Sequence, residues 1–211
     1  MALLDAYATV ADYQARNSGG VAVSNPSLLG EYLVASSRLL DRELGLHDGA
    51  FNSHVATYTF DAHGGSVLYL RDRASGGYFL QSIPSGGIGI DTEVDGTYDG
   101  EALSLGGAVR GLPENAAPST ALELLPFGSR TSWPDRVASV RIAGATWGWA
   151  AVPEMVREIV VSMVRDLSDH HGGGAAAQYQ RMDDLMPLSD QTWRLIRSAK
   201  QRYSRRLPVV A

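Results

Sequence analysis

The sequence predicts an α+β fold, with helices near both ends of the chain and a β-rich region between them. Apolar residues recur at spacings of three and four near both ends, a pattern typical of amphipathic helices. From about residue 54 to residue 142, short β-branched and aromatic runs alternate with glycine-rich or proline-containing turns. Helices and strands are thus grouped along the chain, whereas a doubly wound fold alternates them.

Two helices are predicted before the β-rich region. The first covers residues 9–16. The second begins near Pro26, because Ser24 or Asn25 can cap a helix and proline is tolerated in a first turn. Gly45 is its expected end, since glycine readily adopts the left-handed conformation that closes a helix.

Two more helices are predicted after the β-rich region. One opens at Pro153 and carries an apolar stripe at helical spacing. The other follows a cap at Ser189 and places Trp193 and Ile196 on an apolar edge, whereas the rest of its surface is basic. Residues 172–187 contain three consecutive glycines, so we expect a flexible link between the two helices.

These elements predict one helical core with an insertion. The chain has 211 residues, enough for one fair-sized domain. The core is expected to combine residues 1–53 and 143–187. Residues 54–142 form the β-rich insertion. Residues 188–211 form a basic C-terminal helix and tail that docks a partner.

Composition excludes several classes of protein. The chain has no cysteine, so it has neither a disulfide framework nor a thiolate metal site. No apolar run approaches the roughly 18 residues of a membrane span, and the N-terminus does not resemble a signal peptide. We therefore expect a soluble protein. The net charge is −5, yet six of the eighteen basic residues lie in the last eighteen positions, so the charge is strongly polarised.

One segment resembles a calcium-binding loop. Asp91, Glu93 and Asp95 occupy alternate positions before Gly96, as acidic ligands do in helix-loop-helix calcium sites. The twelfth position is Ala102 instead of the glutamate that binds calcium with both oxygens, and the neighbouring segments are strand-like. The pattern therefore favours two ordinary turns over a metal site.

Other candidate chemistry is weaker still. His170 and His171 are adjacent and cannot both face one metal as residues at i and i+4 can, so a helix-end role is favoured. Asp183 and Asp184 are a possible acid pair for a small hydrolase, but adjacent carboxylates point to different faces. The sequence has neither a nucleophile elbow nor a nucleotide-binding glycine-lysine motif. We predict no catalytic residue, cofactor or metal ligand.

Two features suggest contact with a partner. Trp147 and Trp149 flank Gly148 and could stack on a base or a sugar, although core or subunit-interface anchors are favoured. The basic C-terminal helix could bind DNA phosphates without sequence preference. Docking onto an acidic protein is equally compatible with it, because the rest of the chain is acidic.

Three segments in order carry a resemblance to a known family. Residues 7–17 and 25–45 form a short helix followed by a longer one with an Ala-Ser pair before an Asp-Arg pair. Residues 140–167 end a strand in a glycine- and tryptophan-containing turn before a proline-started helix. Residues 188–207 form a last helix with closing basic residues. Together these segments resemble the head-to-tail connector (adaptor) proteins of tailed bacteriophages.

The resemblance implies a structural protein of the virion neck, with no enzymatic activity. Members form rings, commonly of twelve subunits, which bind beneath the portal protein and present their other end to a neck or tail protein. Genome DNA passes through the ring without sequence-specific binding, and no membrane is involved. During assembly the protein would occupy the host cytoplasm. The rival interpretations are an arginine-rich DNA-binding accessory protein and, with less support, a small hydrolase.

The C-terminal helix is the predicted portal-binding element. We expect the segment from Ser189 to Arg206 to reach out from the core, with apolar anchors beside basic residues. The predicted portal-binding residues are Trp193, Arg194, Ile196, Arg197, Lys200, Arg202, Tyr203, Arg205 and Arg206.

Overall fold

The computed structural model confirms an α+β fold. It describes residues 5–16, 25–72, 76–93, 95–98, 103, 105–114, 118–128, 130–171 and 188–203. The helices in these ranges are α1 (Val10–Arg16), α2 (Pro26–Leu44), α3 (Glu154–His171) and α4 (Asp190–Tyr203). The strands are β1 (His54–His63), β2 (Val67–Tyr69), β3 (Arg71–Asp72), β4 (Gly76–Gly77), β5 (Leu80–Ser82), β6 (Ile88–Ile90), β7 (Val109–Leu112), β8 (Ala121–Leu124) and β9 (Asp135–Trp147).

The chain forms two compact units. The helical unit comprises the described residues of Met1–Gly49 and Val152–Arg206, and the β unit those of Ala50–Ala151. The β unit is therefore wider than the predicted insertion. Residues 143–147, which the sequence assigned to the helical core, are the end of β9 and pair with other strands. The predicted link at 172–187 lies outside the described residues.

Helix α2 is central to the helical unit, since it contacts α1, α3 and α4. Its cap is Asn25, whose side chain accepts a hydrogen bond from the backbone nitrogen of Leu28 at 3.2 Å. Gly45 ends the helix at a φ of 65°, as its sequence position predicts. The buried face of α2 is mainly apolar and consists of Leu29, Leu33, Ser36, Ser37, Leu40, Asp41 and Leu44.

Asp41 is the fully buried ionisable residue of that face. Its Oδ1 accepts a hydrogen bond from the Tyr7 hydroxyl at 2.5 Å. Its Oδ2 accepts bonds from the backbone nitrogen of Gly49 and from the Arg38 guanidinium, both at 2.9 Å. These donors belong to the segment before α1, to α2 and to the loop that follows α2. One carboxyl group therefore joins three parts of the helical unit.

Burial changes the acidity of this group. Removal from water raises the pKa of Asp41 from 3.8 to about 7, although the bonds from Tyr7 and Gly49 and the charge of Arg38 act in the opposite direction. The folded chain therefore keeps a proton on Asp41 at pH values where the unfolded chain has lost it. The resulting stability is fully present below about pH 3.8 and is lost as pH rises through about 7.

We expect Asp41→Asn to remove this dependence on pH. In the wild-type protein, Asp41 should lower the free energy of unfolding by on the order of 4 kcal/mol between pH 4 and pH 8. Chemical denaturation at several pH values across that range measures how the free energy of unfolding changes with pH. Asp48→Asn is the matched control, because Asp48 is exposed and raises the pKa of Asp41 only as a minor contributor. An unchanged slope in the Asp41 variant would contradict the assignment.

The β unit contains antiparallel sheets. In one sheet the order is β1-β9-β5, and β6 also pairs with β9; another has the order β2-β8-β7; and β3 pairs with β4. Side chains of these strands and of the segments that join them form one apolar core. Its largest fully buried members are aromatic or branched, namely Phe60, Leu68, Leu70, Leu80, Ile88, Trp133 and Trp147.

Strand β9 is longer than the strand it pairs with. Its thirteen residues run against the ten of β1, with register shifts between Ala56 and Tyr58 and between Phe60 and Ala62. The surplus residues therefore lie in β9, where Ala138 and Gly144 have φ values of 52° and 60°. Because the extra residues at both register shifts lie in β9, the bulges belong to β9 and not to β1. A bulge bends the strand that contains it.

Candidate partner-binding surface

Helix α4 is held in place by its first residues. The Ser189 hydroxyl accepts a hydrogen bond from the backbone nitrogen of Thr192 at 3.3 Å, as an N-cap does. The backbone nitrogen and hydroxyl of Ser189 both donate to Oδ2 of Asp166, each at 2.9 Å. Because Asp166 lies on α3, the start of α4 is fixed to the neighbouring helix.

Helix α4 has a buried face and a charged face. Its buried residues are Thr192, Ile196, Ala199 and Tyr203. Arg194, Arg197 and Lys200 are exposed and follow one another at intervals of three, so they form one row on the helix surface. We call this row the cationic stripe. Arg202 is also exposed, and its guanidinium lies 5.7 Å from the centroid of the Tyr203 ring.

This arrangement corrects the predicted contact set. Ile196 and Tyr203 are only 2% and 6% exposed, so they are core residues of the helical unit and cannot anchor a partner. The apolar edge of an amphipathic helix packs against its own chain whenever a complementary face is available, and α2 and α3 supply one. Trp193 is half-buried. Arg205 and Arg206 lie outside the described residues.

The cationic stripe is available for binding. Among the described residues, its three side chains form no ion pair. Two of its members are arginines, whose planar guanidinium groups bind carboxylate or phosphate through two parallel hydrogen bonds. The row is fixed by the packing of α4, so little additional order is required on binding. It fits an acidic protein surface or a nucleic-acid backbone.

Trp147 is part of the core of the β unit. It is 1% exposed, and its indole nitrogen donates to the carbonyl oxygen of Ala56 at 3.1 Å. Its ring contacts those of Tyr58, Phe60 and Tyr78, with centroids 5.0 to 5.8 Å apart. Trp147 is therefore a core residue, one of the two roles that the sequence left open, and its ring is not accessible to an external base or sugar.

Trp149 is half-buried and packs against aromatic residues of the same unit. Its ring centroid lies 5.8 Å from that of Phe79 and 6.4 Å from that of Phe51. Between the tryptophans, Gly148 has a φ of 85° and donates its backbone hydrogen to the carbonyl oxygen of Phe79 at 2.7 Å. A Cβ at Gly148 would overlap the carbonyl group of Asn52. The tryptophan-glycine motif thus serves the fold.

We expect Gly148→Ala to destabilise the protein by about 2–4 kcal/mol, because strain at a positive φ adds to a collision with backbone atoms. Thermal or chemical denaturation measures the loss. Gly65→Ala is the matched control: Gly65 has a φ of 72°, but no heavy atom lies within 4 Å of the point that a Cβ would occupy there. It should cost only about 1 kcal/mol. Equal losses in the two variants would show that the close approach to Asn52 is unimportant.

The described residues of the calcium-like segment, 91–93 and 95–98, bend the chain, whereas the second of the two predicted turns, at residues 99–100, lies outside the described residues. Asp91 is 7% exposed, and its Oδ2 accepts a hydrogen bond from the backbone nitrogen of Gly96 at 3.2 Å. Asp95 accepts bonds from the backbone nitrogen and hydroxyl of Thr97 at 2.8 and 2.7 Å. These carboxylates are engaged within the loop. No cluster of potential metal ligands occurs among the described residues.

Several sequence candidates fall outside the described part of the chain. They are the side chains of His170 and His171 and the whole of Asp183 and Asp184. Among the helices that the structure describes, none combines the length and the apolar character that crossing a membrane requires.

Sequence reasoning missed two polar features. One is the Asp41 carboxyl group, which lies four residues after Ser37 and eight after Leu33 on the buried face of α2; helical spacing could have revealed it. The other is the pair Thr57 and Asp61 on β1, whose side chains accept hydrogen bonds from the bulged strand β9. Bulges leave no clear pattern in sequence, so no signal pointed to the second.

Comparison with protein-family models found none that matches this chain, and comparison with curated protein sequences found no match.

Proposed function

We propose that this protein is a structural head-to-tail adaptor of a tailed bacteriophage. Its subunits form a ring beneath the portal in the virion neck, link the capsid to the next neck or tail protein, and leave a passage for the genome. It has no catalytic activity of its own. Assembly takes place in the host cytoplasm.

The observation that carries the proposal is the assembly of the helical unit. The three segments that resemble the connector family are far apart in sequence, yet their helices α1, α2, α3 and α4 pack together. A shared scaffold requires its helices to pack into one unit, and these four helices do so. The convergence supports the interpretation of these helices as one scaffold, whereas residues 140–151, the start of the second segment, belong to the inserted β unit.

Charge and architecture add support. A ring subunit contacts its neighbours head to tail through two different surfaces, and the chain has two compact units that can supply them. The cationic stripe provides a fixed, exposed row of charge that fits an acidic surface of the portal. The acidic remainder of the chain suits a passage that must release DNA instead of retaining it.

The test is assembly with the cognate portal protein. The chain, the portal and their mixture are compared by mass measurement and negative-stain imaging, with duplex DNA as a separate binding partner. The adaptor function predicts ring-shaped density stacked on the portal and weak affinity for free DNA. If the chain does not associate with the portal, the adaptor function is wrong.

Charge reversal locates the contact. Deleting α4 would expose the apolar faces of α2 and α3, so R194E/R197E is the better variant. We expect portal affinity to fall by about tenfold or more, because like charges would face each other across the interface. R42E/R71E carries the same change of charge at exposed sites outside α4 and should bind normally. Equal affinity of both variants would exclude the cationic stripe as the portal contact.

The cationic stripe also favours a second candidate, a DNA-binding accessory protein. In that case affinity for duplex DNA is strong. The logarithm of the observed binding constant then falls with the logarithm of the salt concentration, at a slope of about −0.9 for each phosphate neutralised. Three cations give a slope of about −2 to −3. Strong DNA binding that R194E/R197E abolishes, together with no portal association, would favour this candidate.

A further inference from the structure

Strand β1 lies at the edge of its sheet. It pairs with β9 over its whole length, and no other strand of the described residues pairs with it. The strand that follows it, β2, pairs instead with β8. A strand at a sheet edge presents backbone donors and acceptors to which another chain can bind.

Within the described part of the chain, this edge lacks several of the usual protections. Natural edge strands are kept apart by short length, lysine, proline or bulges. β1 has ten residues, contains neither lysine nor proline, and leaves the bulges to β9. Between the histidines at its two ends, β1 contains one carboxylic acid side chain, that of Asp61. Among the other described edge strands, β2, β5, β6 and β7 have three or four residues, and β3 and β4 have two.

The bulges of β9 leave β1 with polar groups that can bind further. Thr57 Oγ1 accepts a hydrogen bond from the backbone nitrogen of Gly144 at 3.1 Å, so the hydroxyl keeps its own hydrogen to donate. Asp61 Oδ1 accepts from the backbone nitrogen of Ala138 at 2.8 Å, and its second oxygen can accept from elsewhere. A donor and an acceptor therefore lie four residues apart on the same side of the strand.

We infer that β1 pairs antiparallel with β1 of a second copy of this chain, about a two-fold axis at Thr59. Length favours this partner, because a two-fold axis at Thr59 pairs residues 55–63 of one copy with the same nine residues of the other, whereas the other described edge strands have at most four residues. In this register, Thr57 of each copy faces Asp61 of the other, so the hydroxyl donates to the carboxylate twice. Thr59 faces Thr59, and no like charges are opposed.

The same register keeps the two faces of the sheet distinct. In an antiparallel pair, the side chains of two directly opposed residues lie on the same face of the sheet. A two-fold axis through Thr59 therefore pairs odd-numbered residues with odd-numbered residues and even-numbered with even-numbered. Ala56 then faces Ala62, and Tyr58 faces Phe60, all on the more buried side. The exposed side of one copy continues into the exposed side of the other. A shift by one residue would place apolar side chains against solvent-facing ones.

This pairing is independent of the proposed adaptor function. A two-fold contact uses the same surface on both copies and closes on itself, whereas a ring contact joins two different surfaces. The β1 pair is therefore a dimer of the free protein. If no dimer forms, the test of portal binding is unaffected. If the chain does not bind the portal, the test of the dimer is likewise unaffected.

The test is the mass of the full chain in solution, measured by sedimentation over a range of concentrations. We expect a monomer–dimer equilibrium in the wild-type protein. T59K should weaken dimerisation by about tenfold or more, because two ammonium groups would meet at the axis. T131K adds the same charge at an exposed site outside β1 and should dimerise normally. Circular dichroism and thermal melting establish that both variants are folded.

Mixing provides the decisive result. T59E alone should be as monomeric as T59K, but a mixture of the two should dimerise, because each lysine then faces a glutamate across the axis. A wild-type protein that remains monomeric at all concentrations overturns the inference. So does a dimer that T59K leaves intact, or one that the mixture of T59K and T59E does not restore.

Discussion

The β unit depends on the hydrogen bonding of β9, which pairs with β1, β5 and β6. Thirteen residues are fitted against ten of β1, and the surplus is absorbed at the positive-φ residues Ala138 and Gly144. The backbone nitrogens released by these bulges would be costly if unsatisfied, and Asp61 and Thr57 accept them. The irregularity of one strand thus determines which polar side chains its neighbour must carry.

Local signals made the helices predictable. Asn25 and Gly45 bound α2 through contacts within a few residues, so the sequence shows them directly. The limits of the β unit could not be predicted equally well. The segment after residue 142 contains small residues and Gly144, which suggest the end of a strand, but β9 continues to Trp147 because its partner strands supply the hydrogen bonds. Strand ends depend on such distant pairing.

The candidate surface was predictable in part. The exposure of Arg194, Arg197 and Lys200 follows from composition, because charged side chains are rarely buried without a partner. The burial of Ile196 and Tyr203 does not, since an apolar helix edge looks the same whether it meets its own chain or another. Packing against α2 and α3 decides between these possibilities. The sequence could identify an amphipathic helix, but not which molecule covers its apolar side.

The cationic stripe and the β1 edge would bind their partners by different physics. Exposed charges such as Arg194 and Arg197 act through a field that salt screens over about 8–10 Å at moderate ionic strength. Pairing of β1 relies on backbone hydrogen bonds and on direct hydrogen bonds from the Thr57 hydroxyl to the Asp61 carboxylate, short-range contacts that salt weakens less than it weakens a long-range field. Rising salt should therefore weaken binding at the stripe while the β1 dimer persists. The two contacts are consequently separable in one solution, without changing a residue.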